Sequence, residues 1–206
     1  MFQETISPEE IEQLQLAAFP GRITVITEPG PKLDYAIAHL SEQRMIGFDT
    51  ETKPIFEARR PRPHTALLQL SSETEAFLFR LHYLGLPREI ADIMSDRHIT
   101  KIGAAVYDDI RGLQHFRSFD PHRFMDLQSF GGRFGIREKS VRKMAAIILG
   151  QKVSKAQQCS NWEADPLSEA QQLYAATDAW ICVKMYKALL STPAAELPDG
   201  SRIMTP

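Results

Sequence analysis

The chain is short of several things, and each shortage removes a class of protein. Cysteine occurs only at Cys159 and Cys182 in 206 residues, too rarely and too far apart for a disulfide framework or a zinc site of ordinary spacing. Both read as reduced, structural thiols. Excess positive charge is also missing. A formal net charge of −2 and a pI near 6.3 argue against a histone-like protein that holds nucleic acid by bulk charge. The longest apolar run, Met144 to Leu149, is far too short to span a bilayer. Met1-Phe2-Gln3-Glu4-Thr5 shows no basic region leading into an apolar stretch, so a cytoplasmic protein without a membrane partner is expected. No internal repeat or low-complexity segment is present. What remains, 43% hydrophobic and 24% charged residues, is the mix of an ordinary globular protein. The length suits one compact domain over residues 1–190, followed by a loosely packed tail at 191–206.

Local signals predict an α/β chain with strands early and helices late. Ser7-Pro8-Glu9-Glu10 sets an N-cap serine before a proline at the first helical position and an acid at the third, predicting a helix from there to about Ala18. Pro20-Gly21 ends it. Arg22 to Thr27 alternates and is β-branched, a strand, and the Glu28-Pro29-Gly30-Pro31 turn leads to a helix over Lys32 to Glu42. Met45 to Thr50 reads as a buried strand. Thr65 to Ser71 and Thr74 to Phe79 read as two more, joined across Ser72-Glu73 as a hairpin. Leu86 to Ser95 is predicted as a helix and Ile99 to Val106 as a strand. From Asp108 onward nearly everything reads helical, with Ser140 and Ser168 as caps and Gly150 as a stop.

Three segments carry acids in positions that ask for an explanation. In Ile46-Gly47-Phe48-Asp49-Thr50-Glu51 an apolar strand ends in two carboxylates, and the strand period sends both to one face. The plain alternative is a strand end emerging into water. Ile102 to Leu113 is an apolar strand running into a helix that begins with Asp108 and Asp109. One acid there has an obvious capping role. Asp108, coming first, is expected to cap, which leaves Asp109 for a metal. On the long helix after Ser168, Tyr174 and Asp178 are four residues apart and share a face. A tyrosine at that spacing is an ordinary core residue, but a carboxylate in so apolar a helix needs a partner. Hard divalent cations want such oxygen ligands, and a pair of them can stabilise both the attacking and the leaving oxygen of a phosphodiester.

These three segments, in this order, resemble the exonuclease motifs of the DEDD superfamily. Tyr174 ahead of Asp178 looks like its tyrosine-bearing branch, since the histidine-bearing branch would need histidine at Leu173. Leu149-Gly150, Cys159-Ser160-Asn161-Trp162, Pro166-Leu167-Ser168 and Leu173 to Ala179 are similar to the Werner-syndrome-helicase exonuclease domain and its ribonuclease D relatives. The resemblance runs over about residues 44–190. In the second motif the family sets its aspartate four residues before a leucine, and Leu113 thereby selects Asp109.

The resemblance implies a ribonuclease-H-like α/β fold, a mixed five-stranded sheet flanked by helices, and metal-dependent 3′-to-5′ exonuclease activity with two divalent ions, Mg2+ or Mn2+. Asp49 would bridge the ions, Glu51 and Asp178 would hold the one that carries the attacking water, and Asp109 would support the other. Tyr174 would hydrogen-bond that water, orienting it rather than taking its proton. The partner would be a nucleic acid 3′ end, with DNA ahead of RNA. Ribonuclease-D-like RNA trimming, a non-catalytic nucleic-acid-binding module and a small-molecule metal phosphatase are the rivals.

Outside the acids, Arg59, Arg60 and Arg62 follow Glu51 closely and suit phosphate contacts as well as they suit a solvated loop. Lys139, Arg142 and Lys143 read as helix-surface charges, and His64 and His82 as histidines without a metal. Phe48, Trp162 and Trp180 read as packing residues.

Overall fold

The structure is a computed structural model and describes residues 2–54 and 65–192. The arginines at 59, 60 and 62, His64 and residues 193–206 of the tail lie outside that description. In chain order the elements are α1 (Pro8–Glu12), β1 (Gln15–Leu16), β2 (Arg22–Ile26), α2 (Pro31–Ser41), β3 (Met45–Thr52), β4 (Thr65–Ser71), β5 (Glu75–Arg80) and α3 (Leu81–Leu84). They continue as α4 (Arg88–Ser95), β6 (Thr100–Gly103), α5 (Val106–Gln114), β7 (Phe124–Asp126), α6 (Leu127–Gly132), α7 (Val141–Leu149), β8 (Gln151–Lys152) and α8 (Glu169–Ser191).

Six strands form one mixed sheet in the order β2-β5-β4-β3-β6-β7. The β3-β4-β5 meander is antiparallel, as the short hairpin link predicts, while β2 joins β5, β6 joins β3 and β7 joins β6 in parallel. The expected five strands therefore become six among the described residues. The addition is β7, whose three residues are too few to show a period and fall in a stretch that reads as helical. Its place is fixed by pairing with β6, not by its own sequence.

Strand alternation divides the core. Ile46 and Phe48 of β3, Leu68 and Leu70 of β4 and Phe77 and Phe79 of β5 face α2, α4 and α5. On the other face Leu67 and Leu78 meet Trp162 and Ala175, and Ile102 meets α6, α7 and α8. The sheet is thus sandwiched between helices. Helix α8 lies close against β3. A Cβ on Gly47 would stand 2.0 Å from the Ala179 carbonyl oxygen, so only glycine lets helix and strand backbones approach this far.

Several boundaries differ from the sequence reading. Helix α1 stops at Glu12 because the chain then turns into β1, whose two residues pair in parallel with β8 and whose continuation, the Ala17 amide, donates to the Lys152 carbonyl at 2.8 Å. Strand pairing overrides the helical signal there. The strand expected over Ile99 to Val106 ends at Gly103, and Val106 already belongs to α5. The caps at Ser7, Ser140 and Ser168 form as expected, each side chain accepting from a backbone amide in the first turn. Gly150 ends α7 at φ 61°, a left-handed conformation suited to glycine.

Candidate metal centre

Asp49 and Glu51 stand two residues apart at the C-terminal part of β3, on the face that meets α8. There α8 presents Tyr174 and Asp178 one turn apart. Oxygens of Asp49, Glu51 and Asp178 lie within 4.8 Å of one another. Strand period and helix period thus converge on one point, as their spacing predicts.

Asp109 comes from the opposite side of β3. Thr50, whose side chain alternates with those of Asp49 and Glu51, donates its hydroxyl to Asp109 Oδ1 at 2.5 Å. That anchor holds Asp109 outside the three-carboxylate cluster, yet near enough that its charge acts on both Asp49 and Glu51. The expected cap at Asp108 is not formed. Helix α5 starts three residues earlier than that reading needs, its N-cap is Ala105 in a left-handed conformation at φ 58°, and Asp108 is an exposed first-turn acid. Asp126 instead accepts from the Ala105 amide at 3.4 Å and caps α6 through the Gln128 amide at 2.7 Å.

Three clustered carboxyl groups with a fourth nearby, all at least partly withdrawn from water, do not ionise freely. Burial, then the charges of Asp178, Glu51 and Asp109, pushes Asp49 well above the usual carboxylate range. Burial and the neighbouring Asp178 and Asp109 raise Glu51 to about 9. Burial brings Asp178 up to about 7 against the opposing hydrogen bond with Tyr174, and Asp109 up to about 6 against the opposing bond from Thr50. The Tyr174 phenol is driven far above its ordinary value by burial and by Asp178 and Glu51, so it keeps its proton. Burial is the largest cause at each of these groups, and the neighbouring acids add to it at Asp49, Glu51 and Tyr174. The donor set is oxygen only and suits Mg2+ or Mn2+.

The surroundings explain the remaining residues. Trp162 is fully buried and supports the Tyr174 ring, centroid to centroid 5.8 Å at 38°. Phe48 lies in the opposite core against Phe124, ring to ring 5.1 Å, and is a packing residue. Lys139 donates to the Gln128 carbonyl, Arg142 pairs with Glu12 and Lys143 with Glu138, so these cations are occupied within the fold. His82 sits beside Arg80 and Tyr83. Cys159 and Cys182 are both free thiols. Among the described residues no helix is long and apolar enough to cross a membrane. Sequence reasoning missed Thr50, though the alternation that places Asp49 and Glu51 on one face also sends Thr50 to the other. It also missed the Lys53–Glu163 ion pair at 2.8 Å, which ties the end of β3 to the loop before α8 and has no local signal.

Residues 25–192 match the 3′-5′ exonuclease domain family. The human exonuclease mut-7 homolog is 32% identical over 186 aligned positions, covering 76% of this chain and 21% of that protein. The mouse bifunctional 3′-5′ exonuclease/ATP-dependent helicase WRN is 30% identical over 194, covering 86% of this chain and 13% of that one. The chain thus spans about a fifth or less of these two relatives. In fold it resembles the Trypanosoma brucei ribonuclease D complex with RNA U12, at a TM-score of 0.75 and 21% identity, covering 87% of this chain and 65% of that one.

Proposed function

Because the chain belongs to the 3′-5′ exonuclease family, we propose that it removes nucleotides from nucleic acid 3′ ends by phosphodiester hydrolysis at the Asp49, Glu51, Asp109 and Asp178 cluster. The observation that carries this is the convergence of Asp49, Glu51 and Asp178 oxygens within 4.8 Å, where burial and mutual repulsion oppose the ionisation of Asp49. Asp49, Glu51 and Asp178 would hold one divalent ion, and Asp49 with Asp109 a second. Such a pair supplies charge stabilisation for the attacking and leaving oxygens and a more acidic water.

The protein's own groups supply position. Tyr174 keeps its proton in the field of the acids and so acts as a donor that orients the attacking water, since a phenol held protonated is a poor base. Thr50 fixes the carboxylate of Asp109. Trp162 and the small residues Ala175 and Ala179 let α8 bring Tyr174 and Asp178 down onto β3. Residues 1–190 are read as a single exonuclease domain.

DNA is the first substrate reading, and it rests on the resemblance to the Werner-type relative, 30% identical. RNA trimming is the second, and a solved ribonuclease D with RNA bound shares the fold. Digestion of 5′-labelled DNA and RNA oligonucleotides of one sequence, with Mg2+ or Mn2+ and with or without chelator, tests both. A metal-dependent ladder shortening from the 3′ end of DNA, faster than of RNA, is expected. A faster RNA ladder selects the second reading, and binding without any ladder selects the non-catalytic module.

A further inference from the structure

The centre of the sheet holds a polar side chain that the packing leaves without a partner. Gln69 is 0% exposed, and neither its Oε1 nor its Nε2 has a hydrogen-bond partner. An amide stranded like this opposes folding, whereas a leucine or methionine of similar volume would leave no polar atom unpartnered. Core packing alone therefore does not explain a glutamine here.

Strand register shows what it stands beside. Gln69 on β4 is the direct antiparallel partner of Asp49 on β3, and Gly47 is the partner of Ser71. Paired residues point to the same face with their Cβ atoms about 5 Å apart, and the face is the one that meets α8. On its other flank Gln69 is paired with Leu78, which is apolar. Asp49, for its part, is partly buried among three neighbouring acids. A buried donor without an acceptor thus stands opposite a carboxylate that can accept from it. Ser71, two residues along β4 on the same face, carries another unpartnered buried atom, its Oγ.

We propose that Gln69 is a positioning residue for Asp49, its Nε2 donating to one oxygen of that carboxylate, directly or through one water, while its Oε1 accepts from the Ser71 hydroxyl. The arrangement satisfies the three orphaned atoms together. It would hold the Asp49 carboxylate in one orientation, which is the office that hydrogen-bonding partners of metal ligands commonly fill. The proposal rests on the metal-site reading given under Proposed function.

Gln69→Met keeps the volume and removes the donor. Mn2+ binding to the full chain, followed by calorimetry, is expected to weaken about 10- to 100-fold in this variant, with its melting temperature in chelator equal to or above that of the wild type. A role in packing alone predicts the reverse, a lower melting temperature and unchanged Mn2+ affinity, and that result overturns the proposal. Should Gln69→Met fail to fold, the wild type answers by NMR. The Gln69 side-chain NH2 signals are expected to be protected from exchange and to move on addition of Mg2+. Signals that exchange freely and stay fixed overturn it. A wild type that takes up no Mn2+ at all removes the metal-site reading and this proposal with it, whereas equal uptake by wild type and Gln69→Met removes this proposal alone.

Discussion

The Thr50 hydroxyl donates to the Asp109 carboxylate at 2.5 Å, tying the one candidate ligand that stands outside the three-acid cluster to the strand that carries two of its members. The bond also lowers the proton affinity of Asp109, against the burial that brings it to about 6. Thr50→Val keeps the β-branched shape and removes the donor. Its kcat/KM at limiting Mg2+ is expected to fall about 10-fold or more, with recovery as Mg2+ is raised, and a metal titration of activity checks this.

We propose Tyr174 as a donor to water rather than a base. Tyr174→Phe is expected to lower kcat by about 100- to 1000-fold, the loss typical of removing one aligned donor, with Mn2+ affinity preserved. The pH profile of the residual activity should keep the wild-type shape. A limb missing from that profile would identify the phenol as the group that takes the proton.

The acid cluster sets a pH dependence whose sign is fixed. Asp178, Asp109 and Glu51 hold their protons in the folded protein up to about 7, 6 and 9, whereas in the unfolded chain they lose them near the ordinary values of 3.8, 3.8 and 4.5. Between these limits the folded state binds more protons, so metal-free stability falls as pH rises. Lys101, buried and lowered to about 8, acts in the opposite sense only above that value. Melting temperature in chelator should therefore decline from about pH 4.5 to about pH 8, and saturating Mg2+ should remove the decline, because the ion binds the deprotonated carboxylates. Parallel melting curves with and without Mg2+ read this directly.

Arg59, Arg60 and Arg62 lie outside the described residues, and their part in binding is open to a solution test. Replacing all three with alanine in a chain that binds its substrate in Ca2+ should flatten the plot of log affinity against log salt. Each arginine that neutralises a phosphate in the wild type accounts for about 1 in that slope. An unchanged slope assigns these arginines to a solvated loop.

Much of the site can be read from the chain because two periods do the placing. Alternation along β3 puts Asp49 and Glu51 on one face, and the four-residue spacing on α8 aligns Tyr174 with Asp178. What the sequence does not show is set by interactions between distant segments. The left-handed Ala105 that starts α5 early, and so takes the cap from Asp108, carries no residue signal of its own. Strands β1, β7 and β8 are two or three residues long, too short for any period, and exist only because a neighbour pairs with them. Gln69 looks like any residue of a buried strand until the register sets it opposite Asp49.

The Asp49, Glu51, Asp109 and Asp178 carboxylates are proposed to support a metal-dependent attack at a 3′ end. The most direct measurement is digestion of a 5′-labelled oligonucleotide in Mg2+ by the wild type, Asp49→Asn and Asp178→Asn, with melting curves of all three taken in chelator. A chelator-sensitive ladder shrinking from the 3′ end is expected for the wild type and none for either variant. Melting temperatures at or above the wild type's are expected for both, since each substitution removes an acid repelled by its neighbours. Digestion by either variant at the wild-type rate, or a wild-type ladder that persists in chelator, would contradict that proposal.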